Sequence, residues 1–194
     1  MNMPGLPGGT LSARITCVVI LMTLLMSGVT GGTSKSFADS LQEYQIKAAF
    51  LYNFAKFVEW PAAAFKDAQS TVTLCILGND PFGDALDSLR EKTIEGRRLV
   101  IRRVSKIEEA DRCHILFVSA SEKESLSHIL KVIRSWNVLT VGDTKGFAES
   151  GVMINLISIE NKVGFEINLA AAEHASLKIS SKLLKLGKII KEKN

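Results

Sequence analysis

HILFVS, residues 114–119, sets four consecutive apolar residues between a histidine and a serine, a length that suits a strand better than a helix. Its apolar residues do not alternate with polar ones, so such a strand is buried on both faces, as strands are in parallel sheets covered by helices. Working outward, TVTLCIL (71–77) is a second compact run, and it ends in the turn Gly78-Asn79-Asp80-Pro81. RRLVIRRV (97–104) is a strand with charged ends, and Val138–Val141 is another, closed by Gly142-Asp143. Between the strands lie helical patterns. Phe82–Arg90 turns Ala85, Leu86 and Leu89 inward. Ser121 followed by Glu124 reads as a capping box that opens a helix through Ser135, with Leu126, Ile129, Leu130, Val132 and Ile133 on one face. Val152–Ile159 and Lys162–Ile167 form a hairpin turning at Glu160-Asn161, and helical segments follow from Leu169 to Glu173 and from Leu177 onward. This order predicts an α/β fold: a three-layer α/β/α sandwich with a mostly parallel sheet and an antiparallel terminal hairpin.

The first residues speak to compartment. Arg14 precedes an apolar run from Ile15 to Val29, interrupted only by Thr16, Thr23, Ser27 and Gly28. That run is shorter than the roughly 20 residues of a membrane span and has the length of a signal-peptide core. Ser36-Phe37-Ala38 supplies a peptidase site, so residues 1–38 are expected to be a cleaved leader and 39–194 a single exported domain; an uncleaved anchor is the competing reading. Removing 38 of 194 residues leaves 156, enough for a sizeable core. The leader holds Arg14, Lys35 and no acid, so the chain's net charge of +4 falls to +2. A balance so near neutral, with no RNP-like or helix-turn-helix signature, argues against nucleic acid as a partner.

EYQIKAAFLYNFAKFVEWP, residues 43–61, reads as a helix that is apolar over more than one stripe. Phe50, Phe54, Phe57 and Trp60 are therefore candidates for a partner or dimer interface, although the domain's own core claims the same residues. Trp60-Pro61 marks the stop. From Leu177 to Lys193, Lys178, Lys182 and Lys185 fall at i, i+4 and i+7 of a terminal helix; they form either an interface for an acidic surface or anionic headgroups, or a solvated face. In the strand KVGFEIN, Glu166 points away from Val163, Phe165 and Ile167. If helices cover that face the carboxylate needs a partner, which makes Glu166 a ligand-pocket candidate; otherwise it is an edge-exposed acid.

Patterns with catalytic precedent fail on inspection. Gly78-Asn79-Asp80-Pro81-Phe82-Gly83 has the glycine spacing of a phosphate loop, but Asp84 stands where lysine is needed. Ser119, His128 and Asp143 are triad residue types with no G-x-S-x-G elbow around the serine. His114, His128 and His174 lack paired zinc-ligand spacing, and neither late cysteine sits in a C-x-x-C pair. No catalytic residue, metal or cofactor is expected. His114 is read as a satisfied, partly buried histidine at a strand start. With Cys17 in the leader, Cys75 and Cys113 remain, either bridged or as two buried thiols; a bridge would contribute about 4 kcal/mol through loop entropy.

The aromatic helix, LCILGNDPFG (74–83), CHILFVSASE (113–122), LTVGDTKGFAESGVMINLI (139–157) and VGFEINLAAAEHASLKISSKLLKL (163–186) together resemble the YfiR family over the whole region after the leader. The resemblance implies a periplasmic, non-catalytic regulator, commonly a homodimer. It would repress the periplasmic domain of an inner-membrane diguanylate cyclase of the GGDEF type, or a sensor kinase, and so lower cyclic-di-GMP output. An outer-membrane lipoprotein is the implied relief factor. Cys75 and Cys113 fall where family members carry one cysteine pair; a second pair found in some relatives is absent. A small-ligand sensor that tunes a membrane receptor is the alternative function.

Overall fold

The computed structural model describes residues 37–67, 69–159 and 162–191; residues 1–36 of the expected leader lie outside them, while its last two residues, Phe37 and Ala38, begin the first helix. Helix α1 (Phe37–Phe57) opens the fold and ends in β1 (Val58–Glu59). Then follow β2 (Val72–Leu77), β3 (Thr93–Ile94), β4 (Arg97–Val104), β5 (Ile115–Val118), α2 (Leu126–Val132) and β6 (Leu139–Gly142). The hairpin β7 (Ile154–Ile159) and β8 (Lys162–Asn168) leads into α3 (Leu169–His174), β9 (Lys178–Ile179), α4 (Ser181–Leu184) and β10 (Lys188–Ile190). Its turn at residues 160–161 is outside the described residues.

Eight strands form one sheet in the order β10-β8-β7-β6-β5-β2-β4-β3. The run from β4 to β7 is parallel, β7–β8 and β3–β4 are antiparallel, and β10 returns parallel to β8. Successive residues on β2 and β5 feed opposite faces. Leu74, Ile76, Ile115 and Phe117 meet α1 through Ala48, Leu51, Phe54 and Ala55 and the 3-10 segment Gly83–Leu89 through Ala85, Leu86 and Leu89. Cys75, Leu77, Leu116 and Val118 meet Leu126, Ile129 and Ile133 on the other side. The expected three-layer sandwich is the fold. Each fully buried Leu or Phe contributes roughly 1.5–3 kcal/mol to it.

Three local expectations are corrected. Helix α1 stops at Phe57 rather than near Pro61, because Val58–Glu59 pair antiparallel with Ile179–Lys178 of β9. β-branched Val58 suits a strand, and Pro61 pushes Trp60 away from helical geometry. The capping box at Ser121 is not formed. Its hydroxyl accepts from the Asn79 N–H at 3.0 Å while Ser119 donates to the Asn79 carbonyl at 2.6 Å, so the loops after β2 and β5 are stitched together and the α-helix is confined to Leu126–Val132. A Cβ on Gly78, whose φ is +85°, would collide with Ser121 and Glu122 in this stitch. Finally, no continuous helix runs from Leu177. Ser180 caps the single turn α4 by accepting from Leu183, and the chain then passes so near β8 that a Cβ on Gly187 would lie 2.6 Å from the Phe165 ring.

Candidate interaction surface

The far end of the sheet leaves apolar surface uncovered, as α1 does at Leu41 and Ile46. Strand β10 lies beside β8 with Lys188 opposite Glu166 and Ile189 opposite Ile167, and among the described residues it is the last strand on that side. Leu186 is 74% exposed and Ile189 55%; on the hairpin, Ile159 is 52% exposed. From Lys178 to Lys191 the sequence carries five lysines and no acid, and all five are exposed. An unpaired, apolar and cationic strand edge results, suited to pairing with an extended acidic segment.

The aromatic candidates divide. Phe54 is fully buried and packs edge-on against Phe165 at 5.0 Å, so its surface belongs to the chain's own core and is corrected from the interface set. Phe50 also meets Phe165, at 5.6 Å, but remains half-buried, as do Phe57 and Trp60. Trp60 has left the helix, and its indole N–H donates to the His114 carbonyl at 3.2 Å. Lys178, Lys182 and Lys185 do not share a helical face: Lys178 stands opposite Glu59 on β9, Lys182 lies on α4, and Lys185 follows in the turn. Glu166 lines neither the cavity between α2 and α3 nor the groove past His114. Its carboxylate, mostly covered, accepts from Lys188 at 3.2 Å on the neighbouring strand, which gives it the partner its burial requires.

Sequence reasoning missed Leu186 and Ile189 as exposed apolar residues because a terminal helix would have turned them inward. Gly187 followed by Lys-Ile-Ile was the available signal for a close-passing chain and a strand.

Inside the molecule, α1 is tied to the end of β6 by a charged network. The Lys47 ammonium donates to Asp143 at 2.7 Å and lies 3.0 Å from Glu43, and the Tyr44 hydroxyl donates to Asp143 at 3.0 Å. Burial pulls the Lys47 pKa down, but the hydrogen bonds and charges of Asp143 and Glu43 outweigh it and raise the value overall. The Tyr44 pKa is raised by burial and by the Asp143 charge. These bonds engage Asp143, and Ser119 is engaged with Asn79, while His128 is exposed on α2; the three do not meet as a triad. Among the described residues no group of His, Cys, Asp and Glu is placed to hold a metal ion.

Cys75 and Cys113 form a disulfide, with Cα atoms 5.9 Å apart at a sequence separation of 38. Beside it His114 accepts the Thr73 N–H at Nδ1 (3.1 Å), which leaves Nε2–H to donate to the Ala64 carbonyl (3.2 Å). Its ring stacks on Phe65 at 4.6 Å, and Arg97 lies 4.1 Å from the same phenyl ring. Burial lowers the His114 pKa against the pull of the Ala64 bond, and the Arg97 charge lowers it further. The expectation of a satisfied, partly buried histidine is met. A groove of about 510 Å³ runs past Phe65, His114 and Trp136. Asn155, fully buried opposite Gly142, has both amide atoms unpartnered among the described residues and does not line this groove.

No helix among the described residues is long and apolar enough to cross a membrane. A crystal structure of a conserved domain protein from Vibrio cholerae O1 biovar El Tor shares the fold, with a TM-score of 0.52 and 11% identity over 77% of this chain. The match spans 60% of that protein's chain. Among curated proteins, none matches this sequence. The family model described as YfiR/HmsC-like matches residues 44–188, from the network on α1 to the edge strand β10. This chain therefore belongs to the YfiR/HmsC-like family.

Proposed function

We propose that this chain is an exported, non-enzymatic regulator that docks on the periplasmic part of an inner-membrane diguanylate cyclase or sensor kinase and holds it in its inactive state. Family membership supports the general role. The observation that carries the docking claim is the β10 edge, where exposed Leu186 and Ile189 sit among lysines on a strand with one side unpaired. Charge complementarity selects the partner: an extended, acidic and apolar segment of the membrane protein, added to β10 as a further strand. Lys178, Lys182 and Lys185 serve it as steering charges.

Repression of this kind requires no chemistry. The regulator prefers one conformation of the sensor, and moving a two-state receptor from almost all active to almost all inactive takes about a 10⁴-fold preference, or about 5.5 kcal/mol. An edge of this size can supply that only together with neighbouring contacts, for which Phe50, Phe57 and Trp60 keep half-exposed surface. We assign residues 1–38 to an export leader and 39–194 to one domain, released from its target by an outer-membrane lipoprotein. Self-pairing through β10 would oppose lysine to lysine, so a homodimer uses the outer side of α1, where Leu41 and Ile46 are exposed.

The test is retention from detergent-solubilised membranes. The immobilised chain should retain a membrane-anchored protein with a GGDEF or kinase domain, identified by mass spectrometry, and the Leu186→Asp, Ile189→Asp double variant should lose it. Retention of neither class by the parent chain overturns the proposal. A second reading, a sensor of small ligands that tunes a receptor, is supported by a cavity between α2 and α3 in which Glu166 takes no part.

A further inference from the structure

A cavity of about 420 Å³ opens between the end of α2, the loop entering β7 and the end of α3. Its floor is apolar, with Ile133, Met153 and Ala175 buried beneath it. Thr140 on the floor has its hydroxyl oxygen occupied by the Met153 N–H at 2.9 Å, so it reinforces the wall. The rim is basic: Lys131, Arg134 and His174 all line the opening and all are exposed. Among the described residues no carboxylate lines the cavity and none of the three bases has an ion-pair partner. Lys47, Arg103 and Lys188, by contrast, are each paired with an acid.

Placement at a helix C-terminus is the simplest account of Lys131 and Arg134, since cations are favourable there. It applies equally to His174, the last residue of α3, but does not explain why the ends of two different helices, 40 positions apart in sequence, converge on the same opening. Basic groups from two elements around an apolar floor, within the roughly 300–1,000 Å³ range of small-molecule sites, are what an anion with a hydrophobic body requires.

We propose that this cavity binds a small organic anion, a carboxylate or phosphate head held by Arg134 and Lys131 with its apolar body over Ile133 and Met153. Arg134 supplies the planar fork that grips two anionic oxygens, Lys131 adds a mobile point charge three residues earlier on the same face, and His174 closes the far side. The site is separate from the β10 edge, so it stands or falls independently of the docking proposal.

Calorimetric titration of the full exported chain with octanoate, 1-octanol and inorganic phosphate tests it, with amide shifts of Thr140, Gly151 and Ala171 reporting position. Octanoate should bind and move those amides, while octanol, which has the body without the charge, and phosphate, which has the charge without the body, should bind at least about tenfold more weakly. The Lys131→Gln, Arg134→Gln double variant changes only exposed side chains, so it should stay folded with a melting temperature lowered by a few degrees at most and lose octanoate affinity by about tenfold or more. Octanol binding as well as octanoate, phosphate binding as well as octanoate, or an undiminished double variant would each overturn the assignment. So would binding to anionic phosphatidylglycerol vesicles without any response to octanoate, since that would make the basic rim a membrane-surface contact.

Discussion

The middle of the sheet and its β8–β10 end are built to opposite specifications. Strands β2, β5 and β6 are buried along their whole length, with apolar partners from α1 on one face and α2 on the other, and the Cys75–Cys113 bridge and the Asn79 stitch join β2 to β5. At the other end, Phe165 and Ile167 pack under α1, but the second core cluster draws no residue from β7, β8 or β10. Ile159, Leu186 and Ile189 stay in solvent there. Stability is concentrated where nothing can dock, and docking capacity is kept where little stability would be lost. A regulator that must engage and release a partner gains from that separation, because its binding edge can be altered without unfolding the domain.

The contrast can be broken from either side. Phe117, fully buried and edge-on to Phe82 at 4.8 Å, is the sharpest probe of the centre: Phe117→Ala should cost about 3–5 kcal/mol in urea unfolding. Next in size is the bridge. Replacing both Cys75 and Cys113 by serine, or reducing them, should cost about 4 kcal/mol for a closure of this length, read as a lowered denaturation midpoint. Lys47→Met strands Asp143 without its cation in a covered site, and about 3 kcal/mol should be lost even though the Tyr44 bond remains.

A smaller effect follows from His114. Its folded pKa lies below the ordinary value near 6.5, so the unfolded chain binds the proton more readily. The stabilisation from a neutral His114 is complete above about pH 6.5 and is lost as pH falls through the lowered folded value. Melting temperature should therefore drop between neutral and mildly acidic pH, and His114→Asn should flatten that part of the profile. Smallest of all, Leu186→Ala and Ile189→Ala should each stay within about 0.5 kcal/mol of the parent. A cost at Ile189 approaching that at Phe117 would abolish the distinction between centre and edge.

What could be read from the residues follows from how local each signal is. The compact run TVTLCIL and the unbroken apolar stretch within HILFVS announced buried parallel strands, and the hairpin was equally plain, because each pattern is complete within a few residues. The end of α1 was not legible: Val58–Glu59 become a strand only through Lys178–Ile179, some 120 residues away. Phe54 looked available to a partner because nothing near it in sequence reveals Phe165. The lysine spacing from Lys178 was helical, but the approach of Gly187 to Phe165 decided otherwise, and with it moved the candidate surface from a helix face to a strand edge. Cys75 and Cys113 could be marked as a possible pair, while their bridging depended on β2 and β5 lying side by side.

The docking claim is tested most directly by cyclic-di-GMP levels in cells that lack this chain and are complemented either with the parent sequence or with the Leu186→Asp, Ile189→Asp variant, both exported to equal amounts. The account predicts a raised level without the chain, restoration by the parent, and no restoration by a variant that is folded and stable. Full restoration by that variant, or a level that never depends on the chain, would contradict it.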